Sequence, residues 1–437
     1  MNAPGHGPDA ATVFADNARI SDPGGARRFR IFLDLIGRAA ALLPLAPGVI
    51  RRGDVYYIIG HDDALAALAS DSMFATPYKR AMTSLDTFRQ VSLLGFAQTE
   101  DAKYQENLCQ VMRSMPLGMA GKMGLSAARL SRAVLDARTA RLDFMADLVI
   151  PVTLRVMQDH YGLRFGEHIE GELSAGETAF FRWNMAILEY VFGPPGQADY
   201  QRLAAVAAGR LMDAKLRPQI EAALPDDATI LGRMRGLNMD VERIQPTLAA
   251  LLVGTLPTIT QAAYNILQVL LSQPAAMALA RDAARNEDDD DLSACLYEAL
   301  RFRPVLPAIF RTCVVPPASL RRPGIAADHL LGPVDWLGRH IPSGATIGIV
   351  CVTANFDPRT VKSPRRFDPS RPASDSLSFG QGKHWCTGVP FAMEVMVNMF
   401  RPLLRAGTPR ARKGAATKYF MDFFAESFPI VIERDEP

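Results

Sequence analysis

The stretch Phe379-Gly380-Gln381-Gly382-Lys383-His384-Trp385-Cys386-Thr387-Gly388 gathers three glycines, a histidine and a cysteine into ten residues. Glycine tolerates left-handed backbone, so Gly380 and Gly382 permit turns that aim amide N–H groups at a single atom. The apolar spacing of Phe391, Ala392, Val395, Met399 and Phe400 predicts a helix from near Val389. Its N-terminus, at Thr387 and Gly388, favours negative charge. Both features converge on the sulfur of Cys386. A sulfur so placed is held as thiolate, the form that ligates metals, and Phe379 would shield it from water. Read singly, Cys386 fits a buried structural cysteine and His384 an ordinary loop histidine; the spacing joins them.

Upstream, Glu298-Ala299-Leu300-Arg301 sets an acid and a base three residues apart, on one face of a helix. Alone, this describes an exposed ion pair equally well. Between 303 and 371 Pro and Gly become frequent, which predicts short strands and ordered loops, with a buried strand over 346–352. The acidic run 287–291 is expected to be a solvated loop. Residues 244–280 hold no charged side chain, so the helix predicted there must be surrounded by protein or by lipid. Thr255, Thr258, Thr260, Gln261, Asn265 and Gln268 are too many polar groups for lipid and favour a buried central helix. Pro257 removes a backbone donor within it and is expected to distort it. Residues 27–240 read as mainly helical, with one strand at 55–60, and 418–434 close the chain as strands.

Composition narrows the function classes. Hydrophobic residues make up 49% and charged residues 22%, enough to bury a large core. The 48 basic and 46 acidic residues leave a net charge of +2, which builds in no attraction to nucleic acid or anionic membrane. Cys109, Cys295, Cys313, Cys351 and Cys386 lack the spacing of a zinc site or a disulfide framework, so a cytoplasmic location is expected. Residues 1–25, rich in Gly, Pro, Asp and Ala, carry no apolar signal core or membrane anchor. They are expected to be a loose arm preceding one domain over 26–437.

In the form F-G-x-G-x-H-x-C-x-G, the quoted loop resembles the haem-binding loop of cytochromes P-450 at every fixed position. The resemblance implies a mainly α fold with small β regions (α+β), a single domain with a long central helix over the haem. It implies haem b with Cys386 as axial thiolate to the iron, in a loop built by Phe379, Gly380, Gly382, His384 and Gly388. His384 would hydrogen-bond a haem propionate, and Arg311 is a candidate second propionate partner. Glu298 and Arg301 match the family's E-x-x-R pair, joined there by an arginine from a later loop, for which Arg366 and Arg371 are the candidates. Residues 354–358 (ANFDP) and 364–369 (PRRFDP) are similar to two further family elements. Where the family has H-x-x-x-R near its third helix, this chain has Tyr104 and Leu108, leaving Tyr104 as the candidate haem contact. Counting back sixteen residues from Pro274 puts residues 254–258 on the family's oxygen-binding stretch. Thr258 keeps the alcohol there, Gly254 allows close approach, and Pro257 replaces the usual acid. The plainer reading of this segment is core packing with Thr hydroxyls bonded back to the helix.

The function so implied is monooxygenation, one oxygen atom from O2 entering an apolar small molecule, with electrons from a separate ferredoxin or flavoprotein. A peroxide-using haem-thiolate enzyme (a peroxygenase or a lipid hydroperoxide isomerase) is the second reading, because Pro257 stands where the acid would. A non-catalytic haem or ligand-binding protein is the third. Phe88, Phe96, Leu256, Leu306, Ile309 and Phe423 are the expected pocket side chains, each equally compatible with core packing.

Overall fold

The computed structural model describes residues 49–434, apart from 86–87, 89–100, 139, 168, 170–171, 194–198, 315–333, 337–338 and 422. The expected N-terminal arm and Phe96 lie outside the described residues.

The described chain opens with a hairpin, β1 (Val49–Arg52) and β2 (Val55–Ile58), followed by α1 (His61–Leu68), β3 (Phe74–Ala75) and α2 (Lys79–Thr83). Helices then dominate: α3 (Asp101–Ser114), α4 (Gly118–Ala137), and, after β4 (Arg141–Asp143) and a π-helical turn, α5 (Ile150–Tyr161). Next come α6 (Ala175–Phe192), α7 (Asp199–Ala222), α8 (Ile230–Gly236), α9 (Val241–Ser272), α10 (Pro274–Arg285) and α11 (Asp289–Phe302). Strands β5 (Ile309–Cys313), β6 (Val334–Trp336), β7 (Arg339–Ile341) and β8 (Thr346–Ile349) lead to the single turn α12 (Cys351–Ala354). After α13 (Val389–Ala406) the chain ends in β9 (Thr408–Ala411), β10 (Lys418–Phe420), β11 (Phe424–Ser427) and β12 (Pro429–Glu433). The expected fold class, mainly α with small sheets, is the one observed.

The uncharged stretch forms most of α9, a helix of 32 residues and so about 48 Å long. Asp240 caps it, its carboxylate accepting from the Arg243 amide at 2.7 Å. It stops at Gln273, where Pro274 starts α10. Pro257 does not interrupt it. The proline withholds one amide from one carbonyl, and Thr255 and Thr260 bond back to the carbonyls of Leu251 and Leu256 at 2.6 and 2.8 Å.

Two expectations change. The acidic run is not a loop: Asp288 caps α11 through the Asp291 amide at 2.9 Å, and Asp289, Asp290 and Asp291 fill its first turn, where the helix dipole favours them. The strand expected over 346–352 ends at Ile349, because the Val350 carbonyl accepts from the amides of Thr353 and Ala354 and starts α12 instead.

Strands β1-β2-β8-β5-β3 form a five-stranded sheet, parallel only between β2 and β8, and β4-β12-β9 form a second sheet. The main core fills the space among the helices, and a smaller one lies between the first sheet and α1. Helix α13 packs along α4 closely enough that a Cβ on Gly124 would lie 2.7 Å from the Asn398 amide nitrogen. That contact anchors the helix whose first turn follows Cys386.

Candidate active site

The loop before α13 owes its shape to Gly380 and Gly382, at φ +71° and +70°, where a side chain would be strained. The Cys386 amide donates to the Phe379 carbonyl at 3.0 Å, closing the loop. Cys386 is exposed, and its sulfur accepts from the backbone amides of Gly388 and Val389 at the start of α13. Burial pushes its thiol pKa up; those amides pull the other way without cancelling it. Cys295 and Cys351 differ, each pushed up to about 12 chiefly by burial. Cys313 is buried in the small core and Cys109 is exposed on α3.

His384 Nε2 lies 3.4 Å from Asp71 Oδ2. Burial raises the Asp71 pKa, but the His384 hydrogen bond and the charges of His384, Lys383 and Arg311 outweigh it and hold the carboxyl below its ordinary value. Tyr104 donates to the Lys383 carbonyl at 2.7 Å, its ring meets His384 edge-on at 5.6 Å, and the Lys383 ammonium sits over it at 4.9 Å. Its hydroxyl is thus engaged by the loop. Arg311, on β5, is only 2% exposed: its Nη1 donates to the Phe310 carbonyl at 3.0 Å, while its buried Nε has no hydrogen-bond partner among the described residues. Ile309, beside it, reaches within 3.9 Å of where a Gly380 Cβ would stand, so β5 abuts the loop.

On α9, Thr258 donates to the Gly254 carbonyl and Thr255 lies 3.4 Å from the Tyr161 hydroxyl. Gly254 is exposed and Thr258 half-buried within a helix otherwise largely buried at this level, and a Cβ on Gly254 would meet nothing within 4 Å. One face of α9 is therefore open. Leu256 is not on it: the helical period turns Leu256 to the opposite side, where it is fully buried in the core, so the expected pocket contact is corrected. Phe88 is also buried in that core, while Leu306, Ile309 and Phe423 are half-buried.

Glu298 and Arg301 form a two-point ion pair, Nε–Oε2 2.8 Å and Nη2–Oε1 2.9 Å, at 4% and 1% side-chain exposure. Arg301 also donates to the carbonyls of Asn355 and Pro364 at 2.6 and 2.7 Å. Of the two candidate third members, Arg371 reaches Glu298 Oε1 at 3.3 Å, whereas Arg366 contributes its carbonyl, which accepts from Arg371 at 3.1 Å. Asn355 closes the knot, its side chain accepting from the Leu377 amide at 2.8 Å and donating to the Arg301 carbonyl at 3.0 Å. Sequence reasoning missed Asp71 and Asn355 as working side chains. The ANFDP match contained Asn355 without a role, and nothing local marks Asp71.

The residues present fit the haem that the resemblance implies. An accessible sulfur receiving two amides, an open face on α9, and a buried guanidinium with an unused Nε are the donor set and clearance that a cysteine-bound haem with propionates requires.

Comparison with known proteins agrees. The family model described as Cytochrome P450 matches residues 291–406. The chain is 26% identical over 347 residues to the cytochrome P450 monooxygenase PikC of Streptomyces venezuelae, covering 78% of this chain and 74% of that protein. It is 24% identical over 369 residues to the 6-deoxyerythronolide B hydroxylase of Saccharopolyspora erythraea, covering 80% and 82%. Its fold resembles that of open cytochrome P450 EryK from S. erythraea, with a TM-score of 0.71, 20% identity, and coverage of 92% and 96%. The thiolate loop, the buried ion-pair knot and the open central helix in one fold, together with these matches, support a bacterial-type cytochrome P450, a haem b monooxygenase ligated through a cysteine thiolate.

Proposed function

We propose that the chain oxidises a bulky apolar small molecule seated over the open face of α9, with electrons delivered by a separate ferredoxin or flavoprotein in the cytoplasm. The observation that carries this reading is the exposed Cys386, whose sulfur accepts from two helix-start amides. Haem b bound through such a thiolate supplies reductive activation of dioxygen, the sulfur's electron donation favouring O–O cleavage. Cys386 would ligate the iron, with the Gly388 and Val389 amides moderating the charge on its sulfur. Arg311 and His384 would hold the propionates, and Asp71 would orient the His384 ring. Gly254 leaves room on α9, and the Thr258 hydroxyl, now turned to the Gly254 carbonyl, would hold a proton at the reacting face. Half-buried Leu306, Ile309 and Phe423 would exclude water and contact substrate.

The relatives named as hydroxylases of 6-deoxyerythronolide B and of erythromycin support hydroxylation of an organic small molecule. Exposed Trp385 (42% exposed), next to the ligand, with Lys383 nearby, suits the docking of an electron donor.

The test is the spectrum of the reduced, carbon monoxide-bound protein, followed by turnover with NADPH and a ferredoxin–reductase pair. A strongly red-shifted Soret band with hydroxylated product is the expected result. A histidine-type Soret band, or a thiolate spectrum without turnover of any apolar substrate, would overturn the proposal.

A further inference from the structure

Helix α6 and the β10–β11 hairpin are far apart in sequence but joined in space. Arg182 on α6 donates from Nε and Nη2 to the two carboxylate oxygens of Glu426 on β11, at 2.8 and 3.0 Å. Its guanidinium also lies 5.5 Å over the Phe420 ring on β10. The two charged side chains are 29% and 18% exposed, so the pair is partly withdrawn from water, where charge-assisted two-point bonds hold best. The hairpin is tied down elsewhere as well. Tyr419 and Tyr264 on α9 share a hydroxyl hydrogen bond at 2.7 Å, and Asp143 accepts from the Phe428 amide at 2.9 Å. Of these ties only Arg182–Glu426 reaches α6. The tip carries Met421 at φ +51°, a left-handed conformation that an unbranched side chain tolerates only when its surroundings impose it.

Tyr264 lies ten residues, about 15 Å, along α9 from Gly254, and both the hairpin and α6 pack against that helix. We infer that Arg182 and Glu426 are specificity-determining positioning residues: their ion pair fixes the aromatic hairpin tip against α6 so that two walls of the substrate chamber keep one spacing. This rests on the chamber reading above. With the pair intact, half-buried Phe423 sits on a hairpin fixed by the core packing of Phe420 and Phe424, and substrate is held in one orientation. With it broken, the tip relaxes and α6 parts from it without loss of the core.

The holoenzyme variants Arg182→Gln, Glu426→Gln, Arg182→Lys and the reversed pair Arg182→Glu/Glu426→Arg test this. Stopped-flow release of phenylimidazole and hydrogen–deuterium exchange over residues 418–427 are the readouts. The two Gln variants should release the azole roughly tenfold faster, with faster hairpin exchange and more oxidation products from one substrate. The Lys variant, which keeps charge but loses the two-point geometry, should fall between, and the reversed pair should recover most of both readouts. Unchanged release and exchange in the Gln variants, or no recovery in the reversed pair, would overturn the inference. If the unaltered holoenzyme shows no spectral response to the azole, the chamber reading itself fails, and the exchange data alone then decide whether the clasp exists.

Discussion

Cys386 differs from the other described cysteines by what surrounds its sulfur. Two amides at a helix start reach it and oppose the upward push of burial, whereas the thiols of Cys295 and Cys351 are pushed up to about 12. Cys386→Ser should therefore abolish the red-shifted carbon monoxide band and reduce turnover to background, since no other cysteine can substitute; a retained band would show that the ligand lies elsewhere. Thr258 is the next residue on which chemistry depends. The preceding position is Pro257, which has no proton to give, and loss of a proton-delivery group costs roughly 10²–10⁴-fold in the step it serves. Measurable peroxide-driven turnover is expected, and Thr258→Ala should lower the product formed per NADPH further. Pro257→Asp should not repair coupling: Pro257 is buried in the core, so a carboxylate there would be desolvated and holoprotein yield would fall. Tight coupling in the unaltered enzyme, insensitive to Thr258→Ala, would refute this account.

The elements show why some of the site could be read from the sequence and some could not. The thiolate loop, the E-x-x-R pair and the central helix are local patterns, in which a few residues of fixed spacing decide the geometry. Asp71 meets His384 across the fold, and Glu426 meets Arg182 across 244 residues, and no periodicity encodes such pairs. Strand β8 was read too long for a related reason: Ile347, Ile349, Val350 and Cys351 are all fully buried, and burial cannot tell a strand from the turn that follows it. Choosing between Arg366 and Arg371 likewise required three dimensions. That choice yields a graded prediction. Arg301→Ala leaves the Glu298 carboxylate short of its main partner at a cost of about 3–5 kcal/mol, so haem content and melting temperature should both fall sharply. Arg371→Ala, which loses ion pairs to Glu298 and Asp375 and the contacts to the carbonyls of Lys362 and Ser363, should fall less. Arg366→Ala should be nearly silent, because the bond to Arg371 uses only its backbone carbonyl. Equal losses in all three would show that the knot does not organise the haem-side fold.

Across the whole molecule, the buried carboxyls set how stability varies with pH. Asp357 is pushed up by burial, but its bonds to Arg359 and to the His61 amide outweigh this, so its folded pKa lies below the ordinary value of 3.8. Asp71 is depressed as well. Both contribute stability that is complete above about pH 4 and lost as pH falls through their folded values. Glu189 on α6 acts in the opposite sense, its pKa pushed from 4.5 to about 7 by burial. Between those values the folded chain keeps a proton that the unfolded chain releases, so stability declines as pH rises from about 4.5 to 7 and stays lower above it. The loss is on the order of 3 kcal/mol. Glu189→Gln keeps the shape and removes the charge, so the variant should melt several degrees above the unaltered holoenzyme at pH 8 and within a degree or so of it at pH 5. Thermal melts of both proteins at the two pH values check this. A difference of the same size at both would mean that the carboxylate's charge is not what limits stability at α6.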